Sequence, residues 1–342
     1  MQDTEGLVPL ELLGTLLAEQ TGDEGWRSSR ATLIAGGKSN LTFELHSAAG
    51  TVIYRRPPSA GLLPSAHDMG REARVIRRLA GTAVPVPTVL LTDDGELTGV
   101  PGYVMSKVEG HVIRDGLPAG YADTVEEKTA IANVLVDTLV DLHAVAPAEV
   151  GLADFGRPQG FLARQIRRWR AQSEQATDQV LPEMEELARQ LAVKAPAHPG
   201  ETIVHGDFRL DNCLMGIDDP ARVAAVLDWE LSTLGDPLTD LAMLLFYWGR
   251  PGSEGPRLTP RVTRQAGFPG SDYLARRYEA QTGAGLDDLA FYEAFAHFKF
   301  AAVTQGIASR VAAGAMAGQD FGDLGDEVQR LAETGLLRIE KG

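Results

Sequence analysis

Between residues 8 and 20 leucines recur at helical spacing, with Leu10, Leu13, Leu16 and Leu17 on one face, which predicts a packing helix. The period then shortens. Ala31 to Ala35, the alternating Leu41-Thr42-Phe43-Glu44-Leu45 and Thr51 to Arg56 predict three short strands joined by glycine-containing turns. After a Pro/Ser/Gly connector, Met69 to Leu79 reads as a helix whose Val75, Ile76 and Leu79 can pack on a sheet. Strands over Val86 to Leu91 and Gly102 to Met105 complete that sheet. From Val125 the pattern turns helical, with Ile131, Val134, Leu135, Thr138, Leu139 and Leu142 on one stripe, and Phe161 to Arg170 continues it. Helices over 271–281, 287–299, 300–316 and 322–338 fill the remainder, preceded by a Gly/Pro-rich loop at 250–270 of a length usually tied to function. One stretch interrupts the helices: Ile203-Val204 runs into a polar loop, Cys213 to Met215 leads out, residues 216–220 turn, and Val223 to Leu227 returns as a hairpin.

Composition narrows the class. A chain of 342 residues with 44% hydrophobic and 23% charged positions can bury a large core, in one two-lobed unit or two modest domains. Its one cysteine, Cys213, excludes an intramolecular disulfide framework, and the lack of Cys/His pairs argues against structural zinc. The acidic N-terminus has no apolar signal core, and the most apolar run, Leu241 to Trp248, is too short to span a bilayer, so a cytoplasmic protein without a membrane partner is expected. A formal charge of -15 disfavours nucleic acid; it would suit cationic ligands, though such a charge more often serves solubility.

The chemistry concentrates in Ile203-Val204-His205-Gly206-Asp207-Phe208-Arg209-Leu210-Asp211-Asn212 and in Val226-Leu227-Asp228-Trp229-Glu230. Asp207 can accept a hydroxyl proton, while the Asn212 amide oxygen and the Asp228 carboxylate are hard ligands suited to Mg²⁺. The hairpin between them lets ligands distant in sequence meet. Upstream, Gly36-Gly37-Lys38-Ser39-Asn40 is either an ordinary turn or a loop whose N–H groups approach phosphate oxygens. Arg164, Arg167 and Arg168 share a helix face, as a solvated basic surface or a phosphate patch. His143, at a helix end, reads as a hydrogen bonder.

The pieces His205-x-Asp207-x-x-x-x-Asn212, then Asp228, then Gly235-Asp236-Pro237-Leu238-Thr239-Asp240-Leu241-Ala242 stand in the order found in the aminoglycoside phosphotransferase-like small-molecule kinases, which this chain resembles. The resemblance spans roughly residues 30 to 315. Within that family, HGDFRLDN, LDWELSTLGDP and FKFAAVTQGI look most like the kinase-like domain fused in some animals to an acyl-CoA dehydrogenase, and its stand-alone bacterial relatives. It implies an α+β, two-lobed protein-kinase-like fold: an N-terminal nucleotide-binding lobe with a small antiparallel sheet, residues 1–106, and a mostly helical C-terminal lobe, residues 107–342.

The same resemblance implies ATP or GTP with Mg²⁺ as cofactors and a small-molecule hydroxyl, such as a hydroxyacyl-CoA, a hydroxy acid or an aminoglycoside-like compound, as acceptor. Gly36, Gly37, Ser39 and Asn40 would cover the phosphates, and Ser106, Lys107 and Val108 would be the hinge facing the base. Asp207 would be the catalytic base, Arg209 a cation near the transferred phosphate, and Asn212 and Asp228 the metal ligands. Arg55 stands where the family carries a lysine, with Glu72 as its helix partner; a pair of exposed strand-edge arginines, Arg55 and Arg56, and a solvated Glu72 are the alternatives. His205, Asp236 and Asp240 would brace the loop. A nucleotide-binding pseudokinase and an AMP-transferring enzyme remain open as functions, and the oligomeric state is not set by the sequence.

Overall fold

Alternation becomes pairing in the first part of the chain. The computed structural model describes residues 6–34, 40–58, 68–197, 200–314 and 324–341. After helix α1 (Leu10–Thr21), strands β1 (Arg30–Leu33), β2 (Leu41–Ser47) and β3 (Gly50–Arg56) are followed by α2 (Met69–Leu79), β4 (Val89–Asp93) and β5 (Gly102–Ser106). The strands form one antiparallel sheet in the order β1-β2-β3-β5-β4. Phe43 and Leu45, two apart on β2 and so on one face, enter a core with Leu13 and Leu17 of α1, Trp26, Val52, Tyr54 and Val104. β4 starts later than the expected Val86, because Pro85 and Pro87 bring no N–H to a ladder.

β3 is a central strand. Arg55 lies opposite Thr42 on one side and Tyr103 on the other. Arg56, pointing the other way, is buried and donates to the carbonyls of Leu7 and Pro57. The alternative of two exposed edge arginines is therefore wrong, since an edge needs a free side and β3 has none.

A second set of elements is mostly helical. β6 (His111–Val112) pairs with β8 (Cys213–Met215), and β7 (Thr202–Val204) pairs with β10 (Thr233–Gly235), both antiparallel. Between β8 and β10 runs β9 (Val223–Val226), and the Gly216 N–H donates to the Arg222 carbonyl to close the expected hairpin turn. The helices are α3 (Val125–Ala144), α4 (Phe161–Gln175), α5 (Pro182–Lys194), α6 (Pro237–Trp248), α7 (Ser271–Thr282), α8 (Leu289–Ala312) and α9 (Leu324–Ile339). Thr124 starts α3 with a capping box closed by Glu127. The expected helices 287–299 and 300–316 are one: no glycine or proline interrupts Leu289 to Gln305, and Phe295, Phe298, Ala301 and Ala302 keep the 3.6 period in the core. Leu162, Ile166, Leu187, Leu191, Phe246 and Leu331 join them there.

By internal contact the chain forms two compact units, Met1–Gly110 with Ala224–Ser232, and His111–Val223 with Thr233–Gly342. The sequence reading drew one boundary, after residue 106. Ala224–Ser232 belongs with the first unit because the Val226 N–H donates to the Pro85 carbonyl at 2.8 Å and Arg71 to the Ser232 carbonyl at 3.2 Å. None of the described helices is long and apolar enough to cross a membrane.

Candidate active site

In the second unit, β7 ends at Val204 and the next three peptide groups are gripped in turn. Asp240, buried on α6, accepts from the His205 N–H at 2.6 Å and from the Gly206 N–H at 2.8 Å. Gly206 has φ +84°, a conformation that favours glycine. The Asp207 N–H then donates to His205 Nδ1 at 3.2 Å. His143 lies 3.4 Å from Asp240 through Nε2 and 2.8 Å from the Tyr278 hydroxyl through Nδ1, so it is the helix-end hydrogen bonder expected. Asp236 accepts from Leu238 N–H, Gly200 N–H and the Tyr292 hydroxyl, which anchors the start of α6.

A single tight turn, Leu210–Asn212, carries Asn212 back to Asp207. The Asn212 amide nitrogen donates to the Asp207 carbonyl at 2.9 Å and to its Oδ2 at 3.2 Å. Arg209 Nε also donates to Oδ2, at 3.1 Å, while the Tyr247 hydroxyl donates to Oδ1 at 3.2 Å. The Arg209 guanidinium lies 4.9 Å over the Tyr247 ring and pairs with Asp211 at 3.2 Å. Burial alone would favour a neutral Asp207, yet the Arg209 and Lys299 charges hold its carboxyl below the usual range. Asp211 has the opposite outcome, because burial pushes its carboxyl up and the neighbouring Asp207 charge adds to that. With its side chain 19% exposed, Asp207 is an oriented, ionised carboxylate that an incoming hydroxyl can reach.

The first unit holds a second cluster. Arg55 on β3 spreads its fork: Nε lies 3.2 Å from Glu72 Oε1 on α2, and Nη2 lies 2.5 Å from Asp228 Oδ1 and 3.7 Å from Glu230 Oε2. Glu230 also accepts from the Asn40 amide at 3.1 Å. Asp228 has φ +65°, uncommon for a residue with a side chain, and strain of this kind gathers at functional sites. The segment is braced locally, since Trp229 Nε1 donates to the Val226 carbonyl and the Ser232 hydroxyl to the Trp229 carbonyl. Burial works against the Arg55 charge, but Glu72, Asp228 and Glu230 outweigh it and hold the guanidinium above its ordinary range. Burial pushes Glu72 upward, with Arg55 pulling it back. Glu72 is thus paired and buried, not solvated.

The residues singled out in the sequence are brought together as two groups: Asp207, Arg209 and Asn212 in the second unit, Asn40, Arg55, Glu72 and Asp228 in the first. Gly36, Gly37 and Ser39 lie outside the described residues. Ser106 closes on Thr88, whose N–H it accepts at 2.9 Å, and Lys107 turns its ammonium to Glu44 at 2.6 Å and Glu109 at 3.1 Å. Val108 is half-buried beside them. On α4, Arg164 is tied to the carbonyls of Arg157 and Gln159, and Arg170 pairs with Glu174.

Four contributors were missed: Glu230, Tyr103, Tyr247 and Lys299. Tyr103 sits opposite Arg55 and burial beside Glu72 raises its phenol well above the usual range. Lys299 carried a signal, as a lone cation in the apolar run Phe295 to Val303. Among the described residues no group of three or more His, Cys, Asp or Glu could hold a metal ion. In the first unit Asp228, its side chain 32% exposed, offers a hard carboxylate oxygen, which fits a cation that brings further ligands with a phosphate better than a resident ion.

Residues 30–294 match the phosphotransferase enzyme family. Human acyl-CoA dehydrogenase family member 11 is 36% identical over 311 residues, covering 88% of this chain and 39% of that protein. Mouse acyl-CoA dehydrogenase family member 10 is 35% identical over 305 residues, covering 86% and 28%. The chain therefore spans well under half the length of these relatives. A solved Ralstonia eutropha protein, provisionally named an aminoglycoside phosphotransferase, superposes with a TM-score of 0.82 at 31% identity, over 97% of this chain and 98% of that one. A thermostable mutant of the aminoglycoside phosphotransferase APH(4)-Ia, solved with AMP-PNP and hygromycin B, shares the fold at a TM-score of 0.60 and 17% identity, over 96% and 98%. The fold is the kinase-like α+β fold of the aminoglycoside phosphotransferases.

Proposed function

Because the chain belongs to the phosphotransferase enzyme family, we propose that it transfers the terminal phosphoryl group of ATP to a hydroxyl group of a small metabolite. The observation that carries this reading is Asp207: an ionised carboxylate with both oxygens oriented by Arg209, Asn212 and Tyr247 on a loop gripped by Asp240. In this reading Asp207 takes the proton of the acceptor hydroxyl as the new P–O bond forms, and ADP leaves with the electron pair of the bond that breaks. Arg209, released from Asp207 Oδ2, places its charge near the transferred phosphoryl group. In the first unit Arg55, oriented by Glu72, donates to nucleotide phosphate oxygens near Asn40, and the backbone of Ser106, Lys107 and Val108 meets the base.

Asp228 in the first unit and Asn212 in the second are each candidate ligands for Mg²⁺, which would supply charge neutralisation to the phosphates when bound. With so little covalent chemistry for the protein to perform, positioning and electrostatics supply most of the rate.

The test is incubation with Mg·ATP and a panel of hydroxyl compounds, including hydroxyacyl-CoAs, hydroxy acids and aminoglycosides, followed by nucleotide analysis. ADP with a phosphorylated acceptor is expected. AMP as the product would make it a nucleotidyl transferase, and nucleotide binding without turnover would make it a pseudokinase.

A further inference from the structure

α8 crosses the core of the second unit, where Phe295, Phe298, Phe300, Ala301 and Ala302 are all buried. In their midst stands Lys299, 6% exposed and the one lysine among the buried polar residues described. Its ammonium forms no ion pair among the described residues. It donates to the carbonyl oxygen of Gly206 and rests 5.3 Å over the ring of Trp169, itself buried on α4. A buried cation without an ion pair costs stability, and an apolar side chain of the same length would serve the core better. Residues that break a packing rule without a local gain are expected where function requires them.

The place where Lys299 acts shows what that requirement is. The peptide between Gly206 and Asp207 is held from both sides, its carbonyl by Lys299 and its N–H by His205 Nδ1. Just before it, Asp240 holds the N–H groups of His205 and Gly206. Gly206, at φ +84°, is the residue with the most freedom to swing, so the carbonyl that Lys299 grips is the one whose rotation would re-aim Asp207. We infer that Lys299 is a positioning residue: by fixing the Gly206 carbonyl it sets the direction in which the Asp207 carboxylate leaves the chain, with the Trp169 ring as the shelf that locates the ammonium. The chemical purpose of this clamp rests on the phosphotransfer reading; the clamp itself does not.

The decisive variant is Lys299→Met, similar in length and without charge or donor. Three quantities are measured on the full chain: thermal midpoint, amide hydrogen exchange at His205 to Arg209, and ADP formation from Mg·ATP with the best acceptor of the panel. The midpoint should hold or rise, while exchange at His205 to Arg209 quickens about tenfold or more, the size of one charge-assisted hydrogen bond. kcat should fall by about 10- to 100-fold with the KM for ATP within about twofold. Lys299→Gln, which keeps a donor, should recover part of the protection, and Trp169→Leu should loosen the same amides less. Unchanged exchange at these amides in Lys299→Met overturns the inference, as does a lowered midpoint with exchange raised across the whole core, which would make Lys299 a packing residue. If the local exchange result holds but wild-type protein forms no ADP with any acceptor, the phosphotransfer reading fails and the clamp stands.

Discussion

The two clusters are built on opposite surpluses. Around Arg55, one guanidinium faces three carboxylates, Glu72, Asp228 and Glu230. Around Asp207, one carboxylate faces a guanidinium, an amide and a phenol, with the Lys299 ammonium acting on its charge. A group of acids around one cation repels bare phosphate and welcomes a phosphate that arrives with a divalent cation. A group of donors around one acid keeps that acid ionised and aimed. The balance of donors and acids thus separates a cation enclosed by carboxylates from a carboxylate enclosed by donors, with Asp211 sharing Arg209.

The comparison breaks most visibly at Asp207. Asp207→Asn keeps the shape but loses the charge and turns one of the two accepting oxygens into an NH₂ donor, so turnover should fall by about 10²–10⁴, the span of a positioned acid or base, with nucleotide binding retained. ADP formation beside calorimetric ATP binding reads both; turnover at the wild-type level would remove Asp207 from the mechanism. Next in size is the Arg55–Glu72 pair. Arg55→Ala leaves Glu72 buried without its cation, at a cost of about 3–5 kcal/mol, and should lower the denaturant midpoint strongly, whereas Glu72→Ala leaves Arg55 its Asp228 and Glu230 partners and should lower it less. The double variant should be little worse than Arg55→Ala alone, because Glu72 has already lost its cation there. Strict additivity of the two losses would show that the pair is uncoupled.

A pH experiment separates folding from chemistry. Burial against Phe246 pushes the His297 imidazole down to about 4. Its folded pKa is depressed below the unfolded value of about 6.5, so the unfolded chain binds the extra proton first and stability falls as pH drops from about 6.5 towards 4, by up to about 1.4 kcal/mol per pH unit. His297→Gln should flatten the curve in that window. An identical curve would mean that other groups set the acid loss, Asp207's surroundings among them. The smallest effect sharpens the charge surplus itself. Glu230→Gln removes one of three acids near Arg55 and should tighten metal-free ATP binding by about two- to fivefold, while Asp228→Ala should weaken Mg·ATP binding by about tenfold or more. Isothermal titration with and without Mg²⁺ reads both, and shifts of the same sign in the two variants would contradict the assignment.

Local chemistry was legible in the sequence; long-range placement was less so. His205, Asp207 and Asn212 lie within one loop, so spacing alone put them together. The strand pattern of Leu41 to Arg56 likewise follows from a period of two. By contrast, Glu230 reaches Arg55 through a left-handed Asp228, a backbone state that no pattern of apolar positions encodes. Tyr247 looks like one more apolar residue of α6 until its hydroxyl is found on Asp207. The expected break between residues 299 and 300 falls inside one continuous α8, where Lys299 is a contact to the Gly206 carbonyl.

The order in which the chain visits its units limits how the protein can be taken apart. The polypeptide leaves the first unit after Gly110, returns for Ala224–Ser232 and leaves again. That nine-residue return carries Asp228 and Glu230, two of the three acids around Arg55. A fragment ending at Gly110 would present Arg55 to Glu72 alone, and a fragment of the rest would carry an orphaned strap. No single cut yields either unit whole, so shuffling, truncation or a two-hybrid bait designed on a linear boundary would test a molecule that never occurs in the intact chain.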